Sequence, residues 1–205
     1  GGLVQVKNGQ PTGLHVDNAM ELMNAIIPDF TDEEMIATMN GIQDDLLGYG
    51  IVGVHEAGIR NKQLPLMKKW VESGDLKINI YGMLSHEDDN LELAKKGPFT
   101  WGNLKVNSFK LYADGALGSH GALLKEPYHD EHDNLGILTT PIDDMDNLAQ
   151  FCLEYGFQLN SHAIGDSANK LLLDIYKVAH EENPDHRWRI EHAQVVDPVD
   201  FELFS

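Results

Sequence analysis

Two histidines close two apolar runs, His162 in "LNSHAIGD" and His192 in "RIEHAQ", thirty positions apart (192 − 162 = 30). That interval holds one strand and one helix. Imidazoles at the ends of adjacent strands are spaced to share one ion, provided that further ligands come from elsewhere. A single histidine at such a place is more often structural, so the argument rests on the pair. Lys110 in "NSFKLYADG" is the third member of the set. An ammonium beside a metal ion is repelled, so a lysine there must be neutral or chemically altered. It would then be a desolvated Schiff-base nucleophile, or an amine carboxylated to an anionic carbamate ligand. Otherwise Lys110 snorkels outward from the strand end.

Other candidates have weaker patterns. His55 in "IVGVHEAG" is followed by Glu56, but position 59 is isoleucine, so no H-E-x-x-H motif exists. A structural role and a substrate contact both fit it. His120, His129 and His132 in "SHGALLKEPYHDEHDN" would form a separate metal site or, as usual for loop histidines among carboxylates, stay solvated. His15, His86, His180 and His186 read as surface residues. Cys152, the only cysteine, excludes an internal disulfide and reads as an inert thiol on the inner face of a helix.

These side chains need elements to position them. "TDEEMIATMNGIQDDLLGYG" opens with Thr31 as N-cap and Glu34 as its capping-box partner, and its apolar spacing runs to a stop at Gly48 or Gly50. A strand ending near His55 follows, then a helix over 61–73 and the strand "LKINIYGML". A weaker helix over 88–96 leads to "LKVNSFKLYADG", a strand ending near Lys110. A long loop over 112–139 is of a length usually kept for function. Thr140 and Pro141 start the next helix in cap and first-turn positions. "GFQLNSHA" is a strand, 166–182 a helix and "RWRIEHAQ" a strand. Five strands alternating with helices predict βαβ units and a parallel sheet, with chemistry outside the carboxyl ends of the strands.

Composition is that of a globular protein, 42% hydrophobic and 8% aromatic, with no run near the roughly 18 apolar residues of a membrane span. Fifteen basic against 33 acidic residues give a net charge of −18, which disfavours nucleic acid as a partner. Residues 1–10 have no signal-peptide pattern, so the expected location is cytoplasmic unless a targeting segment lies upstream.

In order, "KLYADGALGSHGALLKEPYHD", "LNSHAIGD" and "RIEHAQ" resemble the amidohydrolase superfamily, in the branch of metal-dependent hydrolases that includes N-substituted formamide deformylases. "GQPTGLHVDNAMELM" and "GIVGVHEAG" are similar to it as well. The resemblance implies an α/β fold, part of a TIM-type (β/α)8 barrel, with one or two divalent ions, usually zinc. It implies that His162, His192 and a carboxylated Lys110 are metal ligands. Asp114, Gly115 and Gly118 would shape a loop over the mouth, with Asp114, Gly115 and His55 near substrate, and Asp166 would support His162 or cap a helix. The implied activity is hydrolysis of C–N bonds in a small amide, formamide or cyclic amide by metal-activated water. A lyase using Lys110 and a non-catalytic scaffold are the alternatives. The family's H-x-H pair and its eighth-strand aspartate, the general base, have no counterpart among these residues. The chain therefore reads as residues 1–205 of a central barrel portion, strands two to six. By itself it would be inactive and prone to self-association.

Overall fold

A computed structural model describes residues 2–204. The chain opens with an antiparallel hairpin of β1 (Gly2–Lys7) and β2 (Gln10–Asp17). Its turn is Asn8-Gly9, with φ of 53° and 76°, the left-handed pair that matches strand twist. A short α1 (Glu21–Asn24) follows, then α2 (Asp32–Gly48), β3 (Gly53–Ile59), α3 (Leu64–Glu72), β4 (Asn79–Ser85), α4 (Asp88–Ala94), β5 (Phe99–Trp101) and β6 (Leu104–Tyr112). After the long loop come α5 (Ile142–Tyr155), β7 (Gln158–Ala163), α6 (Asp166–Glu182) and β8 (Arg189–His192). Helix α2 begins with the expected box: the Thr31 hydroxyl accepts the Glu34 N–H, and the Glu34 carboxylate accepts the Thr31 N–H.

The second sheet runs in the order β3-β4-β6-β7-β8, with β5 added to β6. Pairs β3–β4, β4–β6 and β7–β8 are parallel, and β5–β6 is antiparallel. The fold is thus α/β, part of a TIM-type barrel. β1, β2 and β5 are additional to the five strands read from the sequence. β3 also runs on to Ile59, four residues beyond His55. The expected ending there followed the apolar run "IVGV", but the ladder to β4 continues through Glu56 and Ala57.

Contacts divide the chain into two compact units. One comprises Pro28–Lys110 and Cys152–Leu159. Its core holds Leu84, Leu104, Val106 and Phe109, all fully buried, with the Phe109 and Phe157 rings edge-on at 5.3 Å. Gly82 is a glycine because a Cβ there would lie 2.6 Å from Ile59 Cδ1. Between α2, α3 and the strands is a cavity of about 260 Å³ lined by Met39, Ile42, Trp70 and Ile78, with Glu56 also at its wall. Cys152 is fully buried, as expected, and burial pushes its thiol pKa far up.

The other unit comprises Gly1–Ile27, Leu111–Phe151 and Asn160–Ser205, and contains the hairpin, the long loop, α6 and β8. Helix α6 buries Leu172, Leu173, Ile175 and Tyr176, and Asn169 donates from its amide to the carbonyls of Gly165 and Val195. The long loop is ordered by its own backbone: Thr139 N–H donates to Ala113 O at 3.0 Å and Leu124 N–H to Leu135 O at 2.8 Å. Among the described residues no helix is long and apolar enough to cross a membrane.

Candidate functional site

Strands β7 and β8 bring His162 and His192 together. Their register pairs Ala163 with His192, and the imidazole centroids lie 4.7 Å apart, edge to face. His162 is mostly buried, its side chain 14% exposed. The Tyr112 ring lies 5.6 Å away. His192 is exposed and adopts φ of +79°, with Ala193 at +43°. A non-glycine pair in the left-handed region is costly and is held by its surroundings. Here the Ala193 N–H is tied to Ala163 O at 3.0 Å.

Asp114 stands behind His162. Its Oδ1 lies 3.4 Å from His162 Nε2 and accepts the Ile164 N–H at 2.9 Å. Its Oδ2 accepts the N–H groups of Leu123 (2.9 Å) and Gly165 (2.8 Å). One fully buried carboxylate thereby fixes the start of the loop, its return past Leu123 and the turn after β7. Gly115 N–H donates to Gly121 O at 3.0 Å. Gly118 has open space around it. Asp166 begins α6, and its Oδ1 accepts the N–H groups of Lys125 and Ser167. The Lys125 ammonium reaches Asp197 at 2.7 Å and Asp200 at 2.9 Å.

Asp17, at the end of β2, belongs to this group and was not singled out from the sequence. Its backbone has φ of +51°. A Cβ on Gly115 or Gly121 would meet its Oδ2 at 2.5 or 2.6 Å, so the two glycines form its seat. Among the described residues the buried Oδ2 has no hydrogen-bond partner. Burial raises its pKa, the His162 charge opposes that rise, and Asp114 adds to it. Nothing local marks Asp17, since the residues that give it meaning lie about a hundred or more positions away.

Lys110 lies in the first-described unit, 5% exposed and opposite Ser85 in the ladder. His55 is in the same unit. It pairs with Tyr81, which pairs with Lys105, so it sits five residues (110 − 105 = 5) toward the amino ends of the strands from Lys110. At about 3.3 Å per residue that is roughly 16 Å. His55 is exposed and stacked on the Tyr81 ring at 4.5 Å.

The loop histidines do not gather: His120 is bound to Asp130 at 3.2 Å and Glu131 at 3.0 Å, and its ring is tilted against Tyr128 at 4.5 Å. His186 is not the surface residue expected. It is half-buried, its Nδ1 accepts the Trp188 N–H at 2.9 Å, and burial followed by His180 lowers its pKa. Among the described residues no three His, Cys, Asp or Glu side chains are disposed to hold an ion. The imidazole pair could supply part of a ligand set for a divalent ion, with Asp114 Oδ1 3.4 Å from His162 Nε2.

Parallel strands alternating with helices, with histidines at neighbouring carboxyl ends, define an α/β protein of the TIM-barrel type. The chain belongs to the amidohydrolase family, whose model matches residues 1–203. It is 30% identical to "Putative amidohydrolase YtcJ" of Bacillus subtilis (strain 168), over 96% of this chain and 38% of that protein. It is 28% identical to "Protein LONG AFTER FAR-RED 3" of Arabidopsis thaliana, over 97% of this chain and 36% of that protein. Among solved structures, an uncharacterized metal-dependent hydrolase from Pyrococcus furiosus superposes with a TM-score of 0.79 at 30% identity, covering 91% of this chain and 38% of that one. One from Pyrococcus horikoshii OT3 gives 0.79 at 28% identity, covering 90% and 37%. The chain thus spans well under half the length of these proteins.

Proposed function

We propose that the protein to which this chain belongs is a metal-dependent hydrolase of C–N bonds in small amide-type substrates, with His162 and His192 among the ligands of a divalent ion, zinc being the expected one. The observation that carries this reading is the 4.7 Å separation of the two imidazoles with Asp114 behind the first. Family membership and the two archaeal metal-dependent hydrolases support it.

A divalent ion held there supplies a Lewis acid for a carbonyl and makes water acidic enough to attack near neutral pH. The chain's own residues prepare that chemistry. Asp114, fixed by three backbone N–H groups, places a carboxylate oxygen 3.4 Å from Nε2 of His162 and would steady the ring beside an ion. His192, with its left-handed backbone at 192–193, puts its ring 4.7 Å from that of His162. Lys110, as a carbamate, would add an anionic oxygen ligand. Asp114 and Gly115 shape the loop that contacts substrate.

The test is metal content by elemental analysis of the whole protein. His162→Asn and His192→Asn should each remove bound zinc and amidase activity together, and Lys110→Gln should weaken zinc retention. Wild-type zinc content in both histidine variants refutes the proposal.

A further inference from the structure

One buried amide joins the two turns that follow the histidine strands. Asn169 lies in the first turn of α6 and is 1% exposed. Its side-chain NH₂ donates to Gly165 O at 2.9 Å and Ile164 O at 3.3 Å, just after His162, and to Val195 O at 3.0 Å, just after His192. Its Oδ1 is buried with no hydrogen-bond partner among the described residues, so the side chain serves as a donor. The helix register fixes where it sits, because the Asn169 backbone N–H also donates to Gly165 O at 2.9 Å. Asp114 takes the N–H groups of Ile164 and Gly165 and Asn169 takes their carbonyls, but of the two it is Asn169 that reaches across to the chain after β8. Asn90 in α4 makes the same kind of bridge, from Ile59 O to Ser85 O, at the ends of β3 and β4. What sets Asn169 apart is the segment it ties. His192 and Ala193 have φ of +79° and +43°, a conformation that non-glycine residues keep only where the surroundings impose it. Ala193 N–H to Ala163 O and Val195 N–H to Ile164 O, at 3.0 and 2.8 Å, hold that segment to β7 and its turn. The Asn169 amide closes the ring by holding the Val195 carbonyl.

We infer that Asn169 is a positioning residue that clamps the turn after β7 to the turn after β8 and so sets where the His192 ring stands relative to that of His162. Asn169 is not itself a ligand, since its donors are spent on three carbonyls. The inference rests on the metal reading of His162 and His192.

The experiment is zinc affinity by chelator competition on the whole protein, run beside thermal unfolding and amide exchange of the metal-free form and the visible spectrum at saturating cobalt(II). Asn169→Leu keeps the bulk and removes the donors. It should weaken zinc binding by about 10- to 100-fold, the range for a lost supporting partner, and exchange should quicken at the Ala193 and Val195 amides. The cobalt spectrum should differ from that of the wild type, because His192 no longer meets the ion at the same place. Asn169→Ser keeps one shorter donor and should lie between the two; if Asn169→Leu does not fold, this variant decides. Wild-type zinc affinity and an unaltered cobalt spectrum in the folded variant overturn the inference. A lowered melting temperature with affinity and spectrum unchanged also overturns it, because the role is then structural. If His162→Asn and His192→Asn retain zinc, the metal reading itself fails and the inference falls with it; if they lose zinc while the Asn169 variants do not, only the inference falls.

Discussion

Replacing Asp114 by asparagine tests whether one carboxylate organises the site. The native side chain is fully buried and accepts three backbone N–H groups at 2.8–2.9 Å. An amide of the same shape has one oxygen, which satisfies either the Leu123 and Gly165 donors or the Ile164 donor. Its NH₂ must then face a buried N–H. An orphaned buried donor costs about 1–3 kcal/mol, and each remaining bond falls from the charged class, about 1.5–3 kcal/mol, to the neutral one, about 0.5–1.5. Together Asp114→Asn should destabilise the protein by about 3–5 kcal/mol. For a domain of 150–250 residues each kcal/mol moves the melting temperature by roughly 2–4 °C, so a fall of about 10 °C is expected. Thermal and urea unfolding measure the loss. Amide exchange should also quicken at Leu123, Ile164 and Gly165 and not in β4. A change below about 1 kcal/mol, or exchange that is unaltered at those amides, refutes the hub.

The remaining predictions concern the other unit. Glu56 keeps much of its surface open, yet it lines the apolar cavity beside α2, and burial raises its carboxyl pKa. A carboxyl whose folded pKa lies above its unfolded value loses stability as pH rises through that window. Glu56→Gln should therefore raise the melting temperature at pH 7, with the gain vanishing below about pH 4, near the unfolded value of about 4.3; a gain that persists at pH 3 would sink the argument. Cys152 is buried with its thiol pKa pushed up. It should not react with a thiol reagent in the folded protein and should react at the rate of unfolding, which mixing with and without urea will establish.

How much could be read in advance depended on whether the signal was local. Helix α6 was legible over 166–182 because an apolar stripe and a glycine before its first residue lie within the segment itself. The capping box at Thr31 and Glu34 is equally self-contained. His162 and His192 were legible as a pair because adjacent parallel strands turn sequence spacing into proximity. The hairpin was passed over although Asn8-Gly9 is a strong turn signal, since β1 and most of β2 are exposed and lack buried alternation. His55 was misplaced because an apolar run before a histidine looks like a strand end, whereas this strand has polar, exposed positions and continues. Asp17 and His186 take their roles from packing, which no window of sequence around them contains.

The loop between β6 and α5 leaves and returns at one point. The Asp114–Leu138 bridge and the Thr139 N–H to Ala113 carbonyl bond join its two ends. Because closure entropy grows only slowly with length, the loop tolerates a change of length away from its inner anchors at Leu123 and Lys125. A longer or shorter insert would leave the anchor intact, provided that position 123 is not proline, since Asp114 needs an N–H there. The loop can therefore vary beyond these anchors while Asp114 keeps its three partners.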